Sequence, residues 1–308
     1  MRLRTLGRTG LAVSEIGFGC GPTAALMIHG SAGQRREAVA CALDLGINYF
    51  DTAPGYADTV SETQLGLVLR ELGARPFIAT KVALSIDQLD DIGGTVERSV
   101  ESSLQRLQVD EIAVIQLHNR IGTHRAAKGE LGNAAVLSLD DVLGPNGVAA
   151  AFERLRSRGL VRFSGCSAFG GNMPVVERVI DSGRFEVLTV HYSVLNGTAW
   201  TSRADTAVRN YGGIGTHASA HQMGIVALRV LEGGALTAEE AAPVMSDIRA
   251  RFAAGNVDVI EGALRFALSN PQIAVTLVGF STVEQVKQAC TYAGRGALPQ
   301  ALLQTEGD

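Results

Sequence analysis

Cysteine is scarce in this sequence. The 308 residues hold only Cys20, Cys41, Cys166 and Cys290, and no two form a CxxC pair. So few thiols in so long a chain make no disulfide framework, and they are expected reduced and mostly buried. Long apolar runs are missing too: none reaches the roughly eighteen residues of a membrane span. The opening MRLRTLGRTG has no apolar core of the kind that marks a secretory signal. An excess of positive charge is also lacking. The net charge is −4, so no basic field recruits nucleic acid or anionic lipid. No GxGxxG follows any strand-like run, and GFGCG at 17–21 has the wrong spacing for a dinucleotide fingerprint. With 46% hydrophobic and 19% charged residues, what remains is a soluble globular chain. It is expected in the cytoplasm, as one domain over 1–308, without nucleic-acid or membrane partners. Its oligomeric state is not legible.

What is present is an alternation. Apolar, β-branched runs at Ile16–Gly19, Ile47–Asp51, Phe77–Lys81, Ile112–Leu117, Val161–Cys166, Val187–Tyr192, Ile225–Leu228 and Ile273–Val278 read as buried parallel strands. Helical spacing falls between them, at Gln34–Leu45, Ser61–Leu72, Thr95–Leu107, Gly147–Arg158, near Pro174–Ser182, near Gly215–Met223, and at Asp258–Leu268 and Val283–Ala293. Ser61, with Gln64 three residues on, reads as a capping box. Eight such units close as a (β/α)8 TIM barrel, with a doubly wound open sheet as the competitor. Gly7 and Gly10 bracket a turn between short apolar segments, which predicts an N-terminal β-hairpin able to cover the barrel bottom. Two long connections, 119–146 and 193–215, open on the C-terminal face, where barrel active sites lie.

The chemistry-bearing residues sit at that face. Asp51 ends the second strand, Lys81 the third and His118 the fourth, and Tyr56 lies on the loop after Asp51. Each alone has an ordinary structural explanation; four on neighbouring strand ends do not. A tyrosine titrates near pH 10, too high for easy proton transfer at neutrality. A lysine ammonium about 4 Å away favours phenolate by roughly 4 kcal/mol at an effective dielectric near 20, and is expected to lower that value. Asp51 would keep the lysine charged, and a neutral His118 would orient a carbonyl oxygen. The set suits proton delivery to a carbonyl that accepts a hydride.

The stretch GINYFDTAPGYADTVSETQLGLVL at 46–69 resembles the aldo-keto reductase signature. TKV at 80–82, LH at 117–118, GLVRFSGCSAF at 159–169 and VGFSTVEQ at 278–285 follow in the family's order. The resemblance runs from Arg4 to about Ala293. It implies a metal-free barrel that interconverts a carbonyl and an alcohol with NAD(P). Tyr56 would be the general acid/base, Lys81 its tuner, Asp51 the partner of Lys81, and His118 the residue that orients substrate. For the cofactor it implies backbone approach at Gly19 and Cys20 and a carboxamide clamp at Ser167 and Ala168. Thr189 stands where the family has glutamine, and Leu228 where an aromatic often stacks. Arg229 would face the pyrophosphate. Gly279, Ser281 and Gln285 match the last cofactor segment, while Gln288 and Ala289 replace its Glu-Asn pair. No cation stands where the family binds the 2′-phosphate unless Lys287 substitutes, so NADP is the family default and NAD stays open.

The substrate, an aldehyde, ketone or sugar, is not legible. The long loops offer His124, Arg125, Lys128 and Glu130 in one, and Trp200, Arg203 and Tyr211 in the other; Trp200 is a candidate pocket wall. His217 and His221 share a helical face but have no evident third ligand, so no metal is expected. Two alternatives stay open: a Schiff-base lyase using Lys81, and a non-catalytic binding subunit like the potassium-channel β-subunits.

Overall fold

The computed structural model describes residues 1–126, 134–201, 208–237 and 243–303. Lys128, Glu130 and Arg203 lie outside the described residues. The eight strands are β1 (Ile16–Gly19), β2 (Tyr49–Asp51), β3 (Phe77–Val82), β4 (Ile112–Leu117), β5 (Val161–Ser167), β6 (Val187–His191), β7 (Gly224–Leu228) and β8 (Ile273–Gly279). They pair in parallel, each with its sequence neighbours, and β8 closes on β1. The helices of the eight units are α1 (Ala32–Asp44), α2 (Val60–Leu72), α3 (Ile92–Leu107), α4 (Val148–Ser157), α5 (Met173–Asp181), α6 (Ile214–Ala220), α7 (Val259–Leu268) and α8 (Val283–Gly294). The chain is therefore a (β/α)8 barrel, as the alternation predicts. Among the described residues no helix is long and apolar enough to cross a membrane.

The N-terminal hairpin is also present. Leu3–Thr5 pairs antiparallel with Ala12–Ser14. Its turn, at Gly7, sits against the start of β7 so closely that a Cβ there would lie 2.2 Å from the Gly224 nitrogen. Leu6, Leu11 and Val13 from the hairpin pack with Tyr49, Ala79, Val114, Val187 and Val226 in a cluster of their own. The hairpin thus plugs the bottom of the barrel. The larger cluster lies between strands and helices, and the alternation within each strand divides the two. In β3, Phe77 and Ala79 face the axis while Ile78 and Val82 face the helices, which sends Lys81 inward.

Several boundaries differ from the sequence reading. Ser31, not anticipated as a cap, forms the capping box with Gln34 that starts α1. In α2 the expected Ser61 cap is absent. The helix begins one residue earlier, at Val60, after a left-handed Thr59 with no side-chain cap. Ser61 turns inward instead, bonding the Cys20 carbonyl at 2.9 Å and the Thr52 hydroxyl at 2.8 Å, and Gln64 accepts from Arg35. A helix over Pro243–Ala254, between β7 and α7, escaped the reading; its hydrophobic residues trace no clear single face in the sequence.

α2 and α3 pack closely beside the site. Glu62 of α2 is fully buried, taking Arg106 at 2.7 Å and the Thr80 hydroxyl at 2.5 Å. One turn on, a Cβ at Gly66 would lie 2.4 Å from the Arg106 carbonyl oxygen and 2.7 Å from that of Leu107. Helix propensity alone favours Gly66→Ala by about 1 kcal/mol. Backbone overlap reverses the sign, and overpacking of this kind costs about 1–3 kcal/mol. Urea denaturation of Gly66→Ala is therefore expected to show a lower midpoint than the wild type; a higher one would mean the helices separate without cost.

Candidate active site

The pleat that splits the core also selects the residues at the mouth. Asp51, Lys81 and Gln116 point inward from β2, β3 and β4, and His118 follows β4 with the same parity. All four line one cavity of about 640 Å³ at the C-terminal ends of the strands, together with Tyr56. The cavity extends over Gly19 of β1 and Gly279 of β8 to the start of α8.

Asp51 and Lys81 are both buried and form an ion pair at 2.5 Å. Lys81 Nζ also donates to the Thr52 carbonyl at 2.7 Å, and the Gln116 amide donates to the other Asp51 oxygen at 3.2 Å. Thr189 in turn donates to the Gln116 carbonyl oxygen. Burial works against the Lys81 ammonium, but Asp51 and then Tyr56 outweigh it and raise its pKa. The lysine is a fixed cation.

Tyr56 is half-buried, with Lys81 Nζ 4.8 Å from its ring centre and the His118 ring edge-on at 6.1 Å. Its loop is strained: Ala57, Asp58 and Thr59 all have positive φ. Such backbone costs of order 1 kcal/mol per residue and persists only where surroundings impose it. Here the Tyr56 carbonyl accepts from Ser61, and Ser61 is anchored on Cys20.

The electrostatics correct one expectation. The Tyr56 phenol lies above its ordinary pKa, not below it. Burial is the largest cause, and Asp51 opposes the pull of Lys81. The phenol faces a buried ion pair rather than a lone cation, so Asp51 offsets part of the lysine's pull and burial decides the direction. His118 behaves as expected: burial first, and Lys81 second, push its pKa down to about 3, so the imidazole is neutral.

Most of the residues foreseen at the cofactor lie in this cavity: Gly19, Ser167, Thr189, Leu228 and Arg229 on the strand ends, and Gly279, Ser281, Gln285 and Gln288 along β8 and α8. Cys20 and Ala168 do not. Each follows an inward residue and so faces the helices, where Cys20 is buried with its amide on the Asp51 carbonyl and its carbonyl on Ser61. Ala168 is likewise buried, its amide on the Thr189 carbonyl. Trp200 does not reach the cavity either. It packs edge-on against Tyr192 at 4.6 Å, and its indole N–H bonds Gln272, which precedes β8 at the far end of the barrel. Gln116 was missed, although its parity with Val114 and His118 was readable.

The donor set fits a dinucleotide. Gly19 and Gly279 leave a side-chain-free floor in the cavity that Tyr56 also lines, and a Cβ at Gly279 would lie 2.9 Å from that of Ala24. The Arg229 guanidinium lies over the Phe169 ring at 5.6 Å and has no hydrogen bond or ion pair among the described residues. It follows β7 on a left-handed backbone, φ 57°, braced by Glu232, which holds both His191 and Ser193. At the far end the N-terminus of α8, an anion-favouring feature, opens on the cavity beside Ser281 and Gln285.

The model of the aldo/keto reductase family matches residues 15–301. The chain is 29% identical over 300 residues to L-galactose dehydrogenase of Arabidopsis thaliana, which covers 94% of this chain and 86% of that one. It is 32% identical over 124 residues to a probable voltage-gated potassium channel subunit beta of the same plant, 38% of this chain and 37% of that one. The holo form of an aldo-keto reductase from Bacillus halodurans shares the fold, with a TM-score of 0.77 at 23% identity over 100% and 99% of the two chains. With that match spanning nearly the whole barrel, the chain belongs to the aldo/keto reductase family of oxidoreductases.

Proposed function

We propose that the chain interconverts a carbonyl and an alcohol with a nicotinamide cofactor, using Tyr56 as the proton donor and acceptor. The observation that carries this reading is the pairing, at one cavity wall, of a protonated phenol and a neutral imidazole with a buried ammonium behind the phenol. The cofactor supplies or accepts the hydride; the chain manages the proton. In the reduction direction the Tyr56 hydroxyl gives its proton to the substrate oxygen, and Lys81 stabilises the phenolate left behind. His118, neutral, holds the same oxygen by a hydrogen bond. Lys81 keeps its proton on Asp51 and Thr52, so it has no lone pair for Schiff-base formation.

The substrate class is proposed as carbonyls and sugars. A relative named for L-galactose makes that sugar one of the first to test, in an absorbance screen at 340 nm run in both directions.

Tyr56→Phe is expected to lower turnover by about a hundredfold or more, the scale of a lost general acid. Cofactor binding, followed by fluorescence, should stay nearly intact, because the ring remains. Unchanged turnover would remove Tyr56 from the chemistry.

The raised phenol pKa fixes the sign of the pH dependence. Reduction needs the acid form, so its rate stays level through neutrality and falls only above about pH 10. Oxidation needs phenolate and should climb steadily with pH over the alkaline range. Initial rates in both directions would test this, and a reduction rate that falls between pH 7 and 9 would contradict it.

We further propose that NAD is preferred to NADP. Among the described residues the cations lining the cavity are Lys81 and Arg229, and neither belongs to α8 or to the segment leading into it. Lys287 sits with Cys41 and Asp44 against α1, outside the cavity. Near the start of α8, Gln285 takes the Ser281 amide, and Gln288 donates to Tyr292, whose hydroxyl is held by Asp258. A 2′-phosphate there would meet neutral groups and a carboxylate. Fluorescence titration should find NADH binding at least as tightly as NADPH, and Gln288→Arg should improve NADPH by about tenfold, the scale of one charge-assisted bond. Tighter wild-type binding of NADPH would overturn the preference.

A further inference from the structure

The two histidines set aside for want of a third ligand acquire one in the fold. His217 and His221 lie one turn apart at the C-terminal end of α6. Asp181 is the last residue of α5, and packing of the two helices brings its carboxylate between the imidazoles. Asp181 Oδ1 lies 2.7 Å from His217 Nε2 and 3.4 Å from His221 Nε2. One ligand atom from each of the three residues lies within 4.8 Å of the others. We infer that Asp181, His217 and His221 form a binding site for a divalent transition metal of the zinc class.

Three features favour a metal over a plain ion pair. Bond lengths of about 2.0–2.2 Å to a tetrahedral zinc place neighbouring ligand atoms about 3.3 Å apart. The His221–Asp181 separation of 3.4 Å is already close to that value, and the His217–Asp181 separation of 2.7 Å would open by about 0.6 Å. Second, His221 Nδ1 lies 3.1 Å from the His217 carbonyl oxygen. A hydrogen bond there puts the ring proton on Nδ1 and leaves the Nε2 lone pair facing Asp181, the outer-shell arrangement usual for metal-bound histidine. Third, the site is partly open, which leaves room for water to complete the coordination. All three side chains are between one third and about one half exposed. The Arg8 guanidinium, which reaches this end of the barrel, donates to the main-chain oxygens of His221, Gly183 and Phe185 and takes none of the ligand atoms. Two imidazoles and a carboxylate suit zinc, nickel or cobalt better than magnesium or calcium.

The site lies on the N-terminal face of the barrel, where α5 and α6 end and β6 and β7 begin. The proposed active cavity opens at the opposite face. A bound ion would clip two helix ends together without touching the acid/base residues, so metal effects on stability and on turnover should separate.

The test uses the untagged full chain, stripped with chelator and titrated with zinc chloride by calorimetry and with cobalt(II) by visible absorbance. One equivalent is expected to bind, with cobalt d–d bands and a melting temperature that rises with zinc. His217→Ala and His221→Ala should each weaken binding by about tenfold or more. Asp181→Asn should weaken it less, since the amide oxygen remains. Turnover should be the same in all variants without metal. Absence of stoichiometric binding overturns the proposal. So does binding that persists in the His217→Ala/His221→Ala double variant, since the remaining histidines and cysteines would then account for it.

Discussion

A closed parallel barrel allows only every second side chain of a strand to face its axis, and the site is built on that constraint. At the bottom the inward positions carry Tyr49, Ala79, Val114 and Val187, sealed by the hairpin. Continue each strand two residues and the same row carries Asp51, Lys81, Gln116 and Thr189, lining the mouth. The change from apolar to ionisable happens within one step of the pleat. The lower layer holds the upper one rigid, and the upper layer stays buried enough for its charges to feel one another.

Those charges are stable only as a set. An isolated buried ammonium or carboxylate costs several kcal/mol, and geometry must repay it. Asp51 has both oxygens engaged, one by Lys81 and the other by Gln116; Lys81 has a second acceptor in the Thr52 carbonyl. The pair reaches Tyr56 as a dipole. Burial of the phenol is therefore the main reason a tyrosine beside a lysine is not made more acidic here, and the counter-charge of Asp51 adds to it. A raised value suits a proton donor, because a phenol poised as an acid must hold its proton until the substrate oxygen demands it.

This alternation also explains what was legible in the sequence and what was not. The eight strands stood out as apolar runs, and Asp51, Lys81 and His118 as polar residues ending them. The likeness of motif points to Cys20 and Ala168 at the cofactor, yet each directly follows an inward residue, so the pleat turns their side chains toward the helices. Gln116 was overlooked inside an apolar run, although it has the parity of His118. Trp200 could not be placed from its loop, because its partner Gln272 lies seventy-two positions on and only the fold joins them. Ser61, whose spacing to Gln64 suggests a capping box, instead ties the strained loop after Tyr56 to the end of β1, and its neighbour Glu62 ties α2 to α3 and β3.

Asp181 marks the limit of reading by spacing. The two histidines of α6 announce themselves at i and i+4, but a third ligand thirty-six residues earlier is invisible until α5 and α6 pack. In a barrel the helix of each unit ends beside the end of the helix before it, so the last turns of consecutive helices are neighbours by topology. A ligand pair on the last turn of one helix therefore has a defined place to look for its partner: the last turn of the helix one unit earlier. Applied to the sequence with the barrel already inferred, that rule leads from His217 and His221 to the end of the helix near 174–182, and to Asp181.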